Sequence, residues 1–185
     1  MQHVIRPVRA DEWEQVKELR LAALADPAAP IAFLDDLESA RARPDTFWQD
    51  RAAGAAYGGS IHQFVAEAPD GSWDGSVTVL VERAGDDDIF GGATDFDQGH
   101  LVGVYVRPGQ RGTGLAGALF EAALEWAWSL DEPLLRRVRL YVHERNDRAA
   151  AFYRRAGFRP TGQVVPMETD PLAKELEYAF PRPRP

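Results

Sequence analysis

The sequence predicts a single α/β (α+β) domain: a mixed, mostly antiparallel sheet of about six or seven strands flanked by about four helices. Three observations predict it. Alternation at 61–67, a valine-rich run at 77–81, an apolar, β-branched run at 101–106 and the segment 138–142 read as strands. Two stretches repeat apolar residues at spacings of three and four, the helical period: Trp13, Val16, Leu19, Ala23 and Leu24, then Leu115, Leu119, Ala122 and Trp126. The third is their order of strand, two helices, three strands, helix, strand, helix and two strands, which a sheet with helices on both faces accommodates.

The first strand covers residues 4–8, and the helix after it is ended by Asp26-Pro27 and Pro30. A second helix is expected from about Asp35 to Arg51, interrupted at Pro44. Residues 61–67 and 77–81 form an antiparallel hairpin, with the turn formers Pro69-Asp70-Gly71 and Asp74-Gly75 between them. A polar, glycine-rich stretch at 85–99 leads into 101–106, apolar enough for a buried central strand. The clearest helix follows, its stripe packing on the sheet, and Pro133 closes it. After the strand at 138–142, a short helix over 146–156 stops at Gly157, and residues 158–165 and 176–180 supply the last two strands. The domain spans 1–180, and the proline-rich 181–185 is expected to be a disordered tail.

Composition narrows the chemistry. At 45% hydrophobic and 27% charged, the chain is ordinary for a soluble globular protein. A net charge of −8 opposes nucleic acid and anionic membranes, and no long basic run offsets it. The absence of cysteine excludes disulfides, thiolate zinc sites and cysteine nucleophiles, and no metal site is expected. The first residues lack the apolar stretch of a signal peptide and no run approaches membrane-spanning length, so the cytoplasm is the expected location.

The chemistry concentrates where the central strand turns into the clearest helix, at Arg107-Pro108-Gly109-Gln110-Arg111-Gly112-Thr113-Gly114-Leu115-Ala116-Gly117. A helix start offers unpaired N–H groups and the positive end of its dipole, and glycines let an anion approach the backbone. A phosphate ligand follows. Gly112 to Gly117 also satisfies G-x-G-x-x-G, but five residues separate it from the strand, and Arg136-Arg137 stands where a dinucleotide fold needs an acid. No Lys-Ser or Lys-Thr follows the glycines, so it is not a nucleoside-triphosphate loop either.

Arg111-Gly112-Thr113-Gly114-Leu115-Ala116 resembles motif A of the GNAT superfamily of N-acetyltransferases, and Asn146-Asp147-Arg148-Ala149-Ala150-Ala151-Phe152-Tyr153, with Gly157-Phe158, is similar to that family's second signature. Both blocks stand in the expected order, with a helix and a strand between them. The likeness covers roughly 99–158, the acyl-CoA half, and implies the GNAT fold.

The resemblance implies an enzyme that moves an acetyl group from acetyl-CoA to a primary amine by direct attack, with no covalent intermediate. It places the coenzyme's pyrophosphate on the amides of Arg111, Gly112, Thr113, Gly114, Leu115 and Ala116, and its pantetheine arm beside Val104, Tyr105 and Val106. A backbone N–H near Val104 would steady the oxyanion. Gly103, inside that strand, marks a bulge, a close approach or a tight packing contact. Tyr153 matches the family's general acid, protonating the departing thiolate. Asn146 either contacts the coenzyme, orients the tyrosine, or caps its helix. His100 stands where some members place a glutamate base; it is that base or simply a hydrogen-bonded strand-end side chain. Glu67, Asp95 and Asp97 are the alternatives, and the acidic run Asp86-Asp87-Asp88 is either a solvated loop or an attractor for a cationic amine.

Two rivals stand beside this reading: an acyl-CoA-binding sensor without turnover, and an NAD(P)-binding oxidoreductase, which the glycine spacing disfavours. The acceptor is a small-molecule or peptide amine, and the assembly that the resemblance implies is a homodimer.

Overall fold

Residues 2–57, 59–90, 92–167 and 169–184 are described by a computed structural model. Its strands are β1 (Val4–Pro7), β2 (Ile61–Glu67), β3 (Trp73–Glu82), β4 (Gln98–Val106), β5 (Arg137–His143), β6 (Arg159–Pro166) and β7 (Lys174–Pro181). The helices are α1 (Trp13–Leu24), α2 (Ala29–Ala32), α3 (Leu37–Ala42), α4 (Asp45–Ala56), α5 (Leu115–Ser129) and α6 (Asp147–Arg155). The strands form one sheet in the order β1-β2-β3-β4-β5-β7-β6. Every neighbouring pair is antiparallel except β4 and β5 at its centre.

The expected architecture holds, with differences that proline and glycine explain. The second helix is two, α3 and α4, because Pro44 lacks a donor and constrains the residue before it; Arg43 is extended, at ψ 136°. Pro30 lies inside the first turn of the short α2, where a missing N–H costs nothing, so the segment after α1 gains a helical turn instead of losing one. Asp74-Gly75 belongs to β3 and not to a turn: Gly75 faces Val106, and a Cβ there would sit 2.8 Å from the Tyr105 carbonyl oxygen. The sheet also reaches beyond residue 180. Pro181 pairs with Arg137, and the Arg182 guanidinium donates to the Trp128 and Leu135 carbonyls, so the expected tail is held at least that far. Pro185 lies outside the described residues.

Alternation along the strands divides the interior into two cores. Phe64, Ala66, Val77, Val79, Leu101, Val138 and Leu140 face α5 and α6, and Val65, Trp73 and Tyr105 face α1, α3 and α4. On α5 the fully buried line is Leu115, Leu119, Ala123 and Ala127, with Phe120 beside it. Ala122 and Trp126 flank that line, and Trp126 stacks on His62 at 4.4 Å. The stripe therefore keeps the expected phase at its start and rotates by one residue toward its end.

A charged cluster crosses the sheet. Arg139 of β5 donates to Glu82 of β3 at 3.0 and 2.8 Å, to Glu177 of β7 at 2.9 Å and to Asp88 at 2.8 Å. Burial alone would raise both glutamates, yet His100 and then Arg139 carry Glu82, and Arg139 with Thr161 and Arg137 carries Glu177, below the usual carboxylate range. The bonds to the acids raise the Arg139 guanidinium against its own desolvation. Truncating Arg139 to Ala would leave Glu82 buried without its arginine and Glu177 with Arg137 alone, and we expect it to cost roughly 3–5 kcal/mol in denaturant unfolding. Because protonation neutralises the orphaned carboxyls, the loss should shrink toward pH 4; a loss under about 1 kcal/mol would show the cluster to be energetically idle.

Candidate active site

The central parallel junction is short. Only Gly99 with Val138 and His100 with Arg139 are paired, and beyond them β4 and β5 part. On its other side β4 carries a bulge, where Gly103 and Val104 lie between the pairs Ser76–Tyr105 and Thr78–Val102. Gly103 has φ +61°, a left-handed conformation that resists any residue with a Cβ; the open alternatives for this glycine resolve to a bulge. Parting strands and bulge together open a cleft of about 750 Å³. Residues 100–106 form one wall, Tyr141, Val142 and His143 the other, and the start of α5 closes one end.

That end is built by two glycines in left-handed conformation, Gly112 at φ +81° and Gly114 at φ +91°. Gly114 caps α5 without a side chain, and the first helical bond runs from Ala118 to the Gly114 carbonyl at 3.1 Å. The amides of Leu115, Ala116 and Gly117 therefore have no helical acceptor, at the positive end of the dipole. Arg111 is turned away from them. Its Nε donates to the Val106 carbonyl at 3.0 Å and its Nη2 to Asp26, which ties the turn to the end of β4 and to the segment after α1. Burial opposes ionisation of Asp26, but the Ala28 N–H and Arg111 together hold its carboxyl below the ordinary range.

Ten of the twelve residues singled out from the sequence line this cleft: His100, Val104, Tyr105, Val106, Arg111, Gly112, Gly114, Ala116, Asn146 and Tyr153. Two do not. The Leu115 side chain belongs to the core, and the Thr113 hydroxyl donates to the Gln110 carbonyl at 2.7 Å, locking the turn. Asn146 caps α6 by accepting from the Ala149 N–H at 3.2 Å, and its amide donates to the Ile31 carbonyl at 3.4 Å, so it also holds α2 against the cleft.

Tyr153 is buried on α6 with its ring 5.7 Å from that of Phe120. Burial, and secondarily the charge of Glu175, push its phenol well above the ordinary value, so it stays protonated at neutral pH. His100 is 1% exposed, its Nδ1 3.5 Å from Glu82 Oε1, too long for a good hydrogen bond. The other acids considered lie elsewhere: Glu67 is bound by Arg6, Asp97 accepts from the Ala84 N–H, and Asp88 serves Arg139 and the loop amides of Phe90 and Gly92. Neither Asp95 nor Asp97 reaches the cleft.

Sequence reading missed Glu175 and His143, opposed residues on β7 and β5 that both line the cleft. Glu175 makes no side-chain hydrogen bond or ion pair among the described residues, and burial raises its carboxyl to about 7. His143 Nδ1 accepts from the Arg145 N–H at 3.0 Å, which leaves Nε2 to face other partners. No motif marks either residue. The one available signal was an acid just before the expected strand 176–180, and its pairing with His143 is in space and not in sequence.

The chain matches the Acetyltransferase (GNAT) family over residues 13–158 and belongs to that family. No curated protein matches it closely enough to compare. Among solved structures it is similar to a GNAT-family acetyltransferase from Streptococcus pneumoniae, with a TM-score of 0.72 and 19% identity over 98% of this chain and 100% of the other. It is similar also to the PaiA N-acetyltransferase of Thermoplasma acidophilum solved with coenzyme A, at TM-score 0.70 and 18% identity over 97% and 100% of the chains. Arabidopsis thaliana NAA60, solved with acetyl-CoA, gives 0.68 and 19% over 97% and 98%. These likenesses show a shared fold; the family and fold together mark the chain as an acyltransferase.

The raised carboxyl of Glu175 makes stability depend on pH. Folded, it binds a proton up to about pH 7, whereas an unfolded glutamate releases it near 4.5. The associated stability is complete below pH 4.5 and is lost as pH rises through 7. Glu175→Gln should therefore match the parent at pH 4 and exceed it at pH 8 by on the order of 2–3 kcal/mol in denaturant unfolding. A difference independent of pH would mean that Glu175 does not titrate as placed.

Proposed function

We propose that the chain transfers an acetyl group from acetyl-CoA to a primary amine by direct attack of the amine on the thioester. The observation that carries this reading is the fork between β4 and β5, with its backbone opened beside a protonated tyrosine and a helix start left without acceptors. Acetyl-CoA in NAA60 and coenzyme A in PaiA support the choice of donor, since both proteins share this fold.

Each part of the donor has a complementary surface. The linked phosphates suit the amides between Arg111 and Gly117, where the dipole favours negative charge and the glycines leave the backbone uncovered. The pantetheine amides suit the edge of β4 at Val104 and Val106, whose partners on β5 are withdrawn by the fork. An N–H at the bulge, near Val104, is then positioned for the oxyanion, and Tyr153 supplies a proton to the leaving sulfur. For the proton of the incoming ammonium ion, Glu175 is the acid-base group whose pKa fits neutral pH; His100 is sealed from solvent and faces the Arg139 cluster. A candidate base inside the cleft favours turnover over a silent acyl-CoA sensor, and one mixed sheet with this glycine spacing speaks against a dinucleotide half-site.

Two substitutions separate chemistry from binding. With acetyl-CoA and an accepted amine, Tyr153→Phe should lower kcat by roughly 10²-fold while coenzyme affinity in calorimetry is unchanged. Gly114→Val places a β-branched residue at φ +91° and a side chain on the cleft surface, and should weaken coenzyme binding by at least about tenfold. An unaltered rate in the first case removes Tyr153 from the reaction; unaltered coenzyme affinity in the second removes the turn from the binding site.

A further inference from the structure

The wall of the cleft furthest from convention is cationic. Arg20 of α1 and Arg51 of α4 line it, and the same two residues border a small adjoining recess together with Gly103 and Tyr105, so they stand next to the β4 bulge. Arg43, between α3 and α4, completes the group. Among the described residues, the one carboxylate within 4 Å of these three guanidinium groups is Asp35, at 3.9 Å from Arg20 and 3.7 Å from Arg43. Arg51 makes no hydrogen bond or ion pair among the described residues, and the Nε atoms of Arg20 and Arg43 are buried without acceptors.

Other arginines packed between elements are paired more closely. Arg6, Arg107, Arg111, Arg137 and Arg139 each meet a carboxylate at hydrogen-bond distance. Arg148 and Arg155 also line the cleft, but on the exposed side of α6, where water satisfies them. In a chain of net charge −8, a cleft lined by five arginines and three acids runs against the average. It is also costly: burial, and next the charge of Arg51, lower Arg20 to about 10, and burial lowers Arg51. Arg51 keeps surface open to solvent although protein surrounds it, as a side chain on a concave wall does. Arg20 and Arg43 lie over the rings of Phe33 and Phe47 at 4.8 and 4.3 Å, yet their Nε atoms still lack acceptors, and a bound oxyanion would give the Arg20–Arg51 pair the close carboxylate or phosphate partner that Asp35 does not supply.

Resting on the acetyl-transfer reading above, we propose that Arg51 and Arg20 receive an oxyanion on the acceptor itself, so that the acceptor class is a primary amine carrying a carboxylate or phosphate group. On that reading the donor's phosphates take the α5 turn, at another part of the cleft. The bulge lies beside the arginines, which places an acceptor anchored there within the same wall as the thioester carbonyl. Phe33, Leu34, Ile89 and Phe90 line the cleft as well and suit an apolar linker between amine and anion. A polyamine, cationic throughout, would meet like charge.

The test measures thiol release from acetyl-CoA with matched acceptors: amino acids against their amides, aminoalkylphosphonates against their neutral diesters, and spermidine as the cationic control. Oxyanion-bearing amines should exceed their neutral counterparts in kcat/KM by roughly 10- to 100-fold, and whichever series leads identifies carboxylate or phosphate. Arg51→Gln should erase that preference while leaving KM for acetyl-CoA unchanged, and Arg51→Lys should restore part of it. Turnover favouring neutral amines or spermidine overturns the proposal, as does a rise in KM for acetyl-CoA and not for the acceptor. Calorimetry on the coenzyme-saturated protein covers the case of slow chemistry: no binding of any oxyanion-bearing amine also overturns it. Failure of acetyl-CoA itself to bind the unaltered protein is a separate result and would instead remove the acetyl-transfer reading.

Discussion

The parting of β4 from β5 is the constraint on which the rest depends. A parallel pair in the middle of a sheet normally continues for its whole length, because each unmade bond leaves a buried donor or acceptor. Here the pairing stops after His100 and Arg139. The Gly103 bulge twists β4 away on one side, and the start of α5 takes up the chain on the other. What results is a groove lined by backbone in a region that would otherwise be filled by side chains. A ligand with its own amides can complete such a groove.

The fork needs an anchor, and the Arg139 cluster stands at its closed end. Arg139 is the last β5 residue paired with β4, and its guanidinium reaches β3, β7 and the loop carrying Asp88. Tyr141 joins the cluster by donating to Glu177 at 3.3 Å, so the first residues beyond the fork are tied to the same charges. Hydrophobic burial supplies most of the driving force for such a domain, but it has no direction. Charge-assisted bonds do, and they fix where the strands separate.

Much of this was legible from the residues. Both glycine positions of the α5 turn, the asparagine cap and the tyrosine of α6 lie where the two sequence blocks place them, because these features depend on local backbone conformation. Less was legible around the acid-base groups. His100 stood at the right place in the chain, yet folding seals it beside Glu82; Glu175 carried no motif, yet folding isolates it in the cleft. Arg20 and Arg51 carried no signal in the sequence, and only the packing of α1 on α4 brings them together beside Asp35.

By itself, then, the order of residues determined the alternation of strands and helices, the family, and the glycine turn at the start of α5. These follow from periodicity and from glycine conformation, which act over a few neighbouring residues. Tertiary structure alone decided which side chains face the cleft, how far burial moves their protonation, and which charges are left uncompensated. Those are sums over groups distant in the chain: Arg20 and Asp35, Arg139 and Glu82, His143 and Glu175. Electrostatic energies depend on three-dimensional separation and local solvent, and neither is written in sequence spacing.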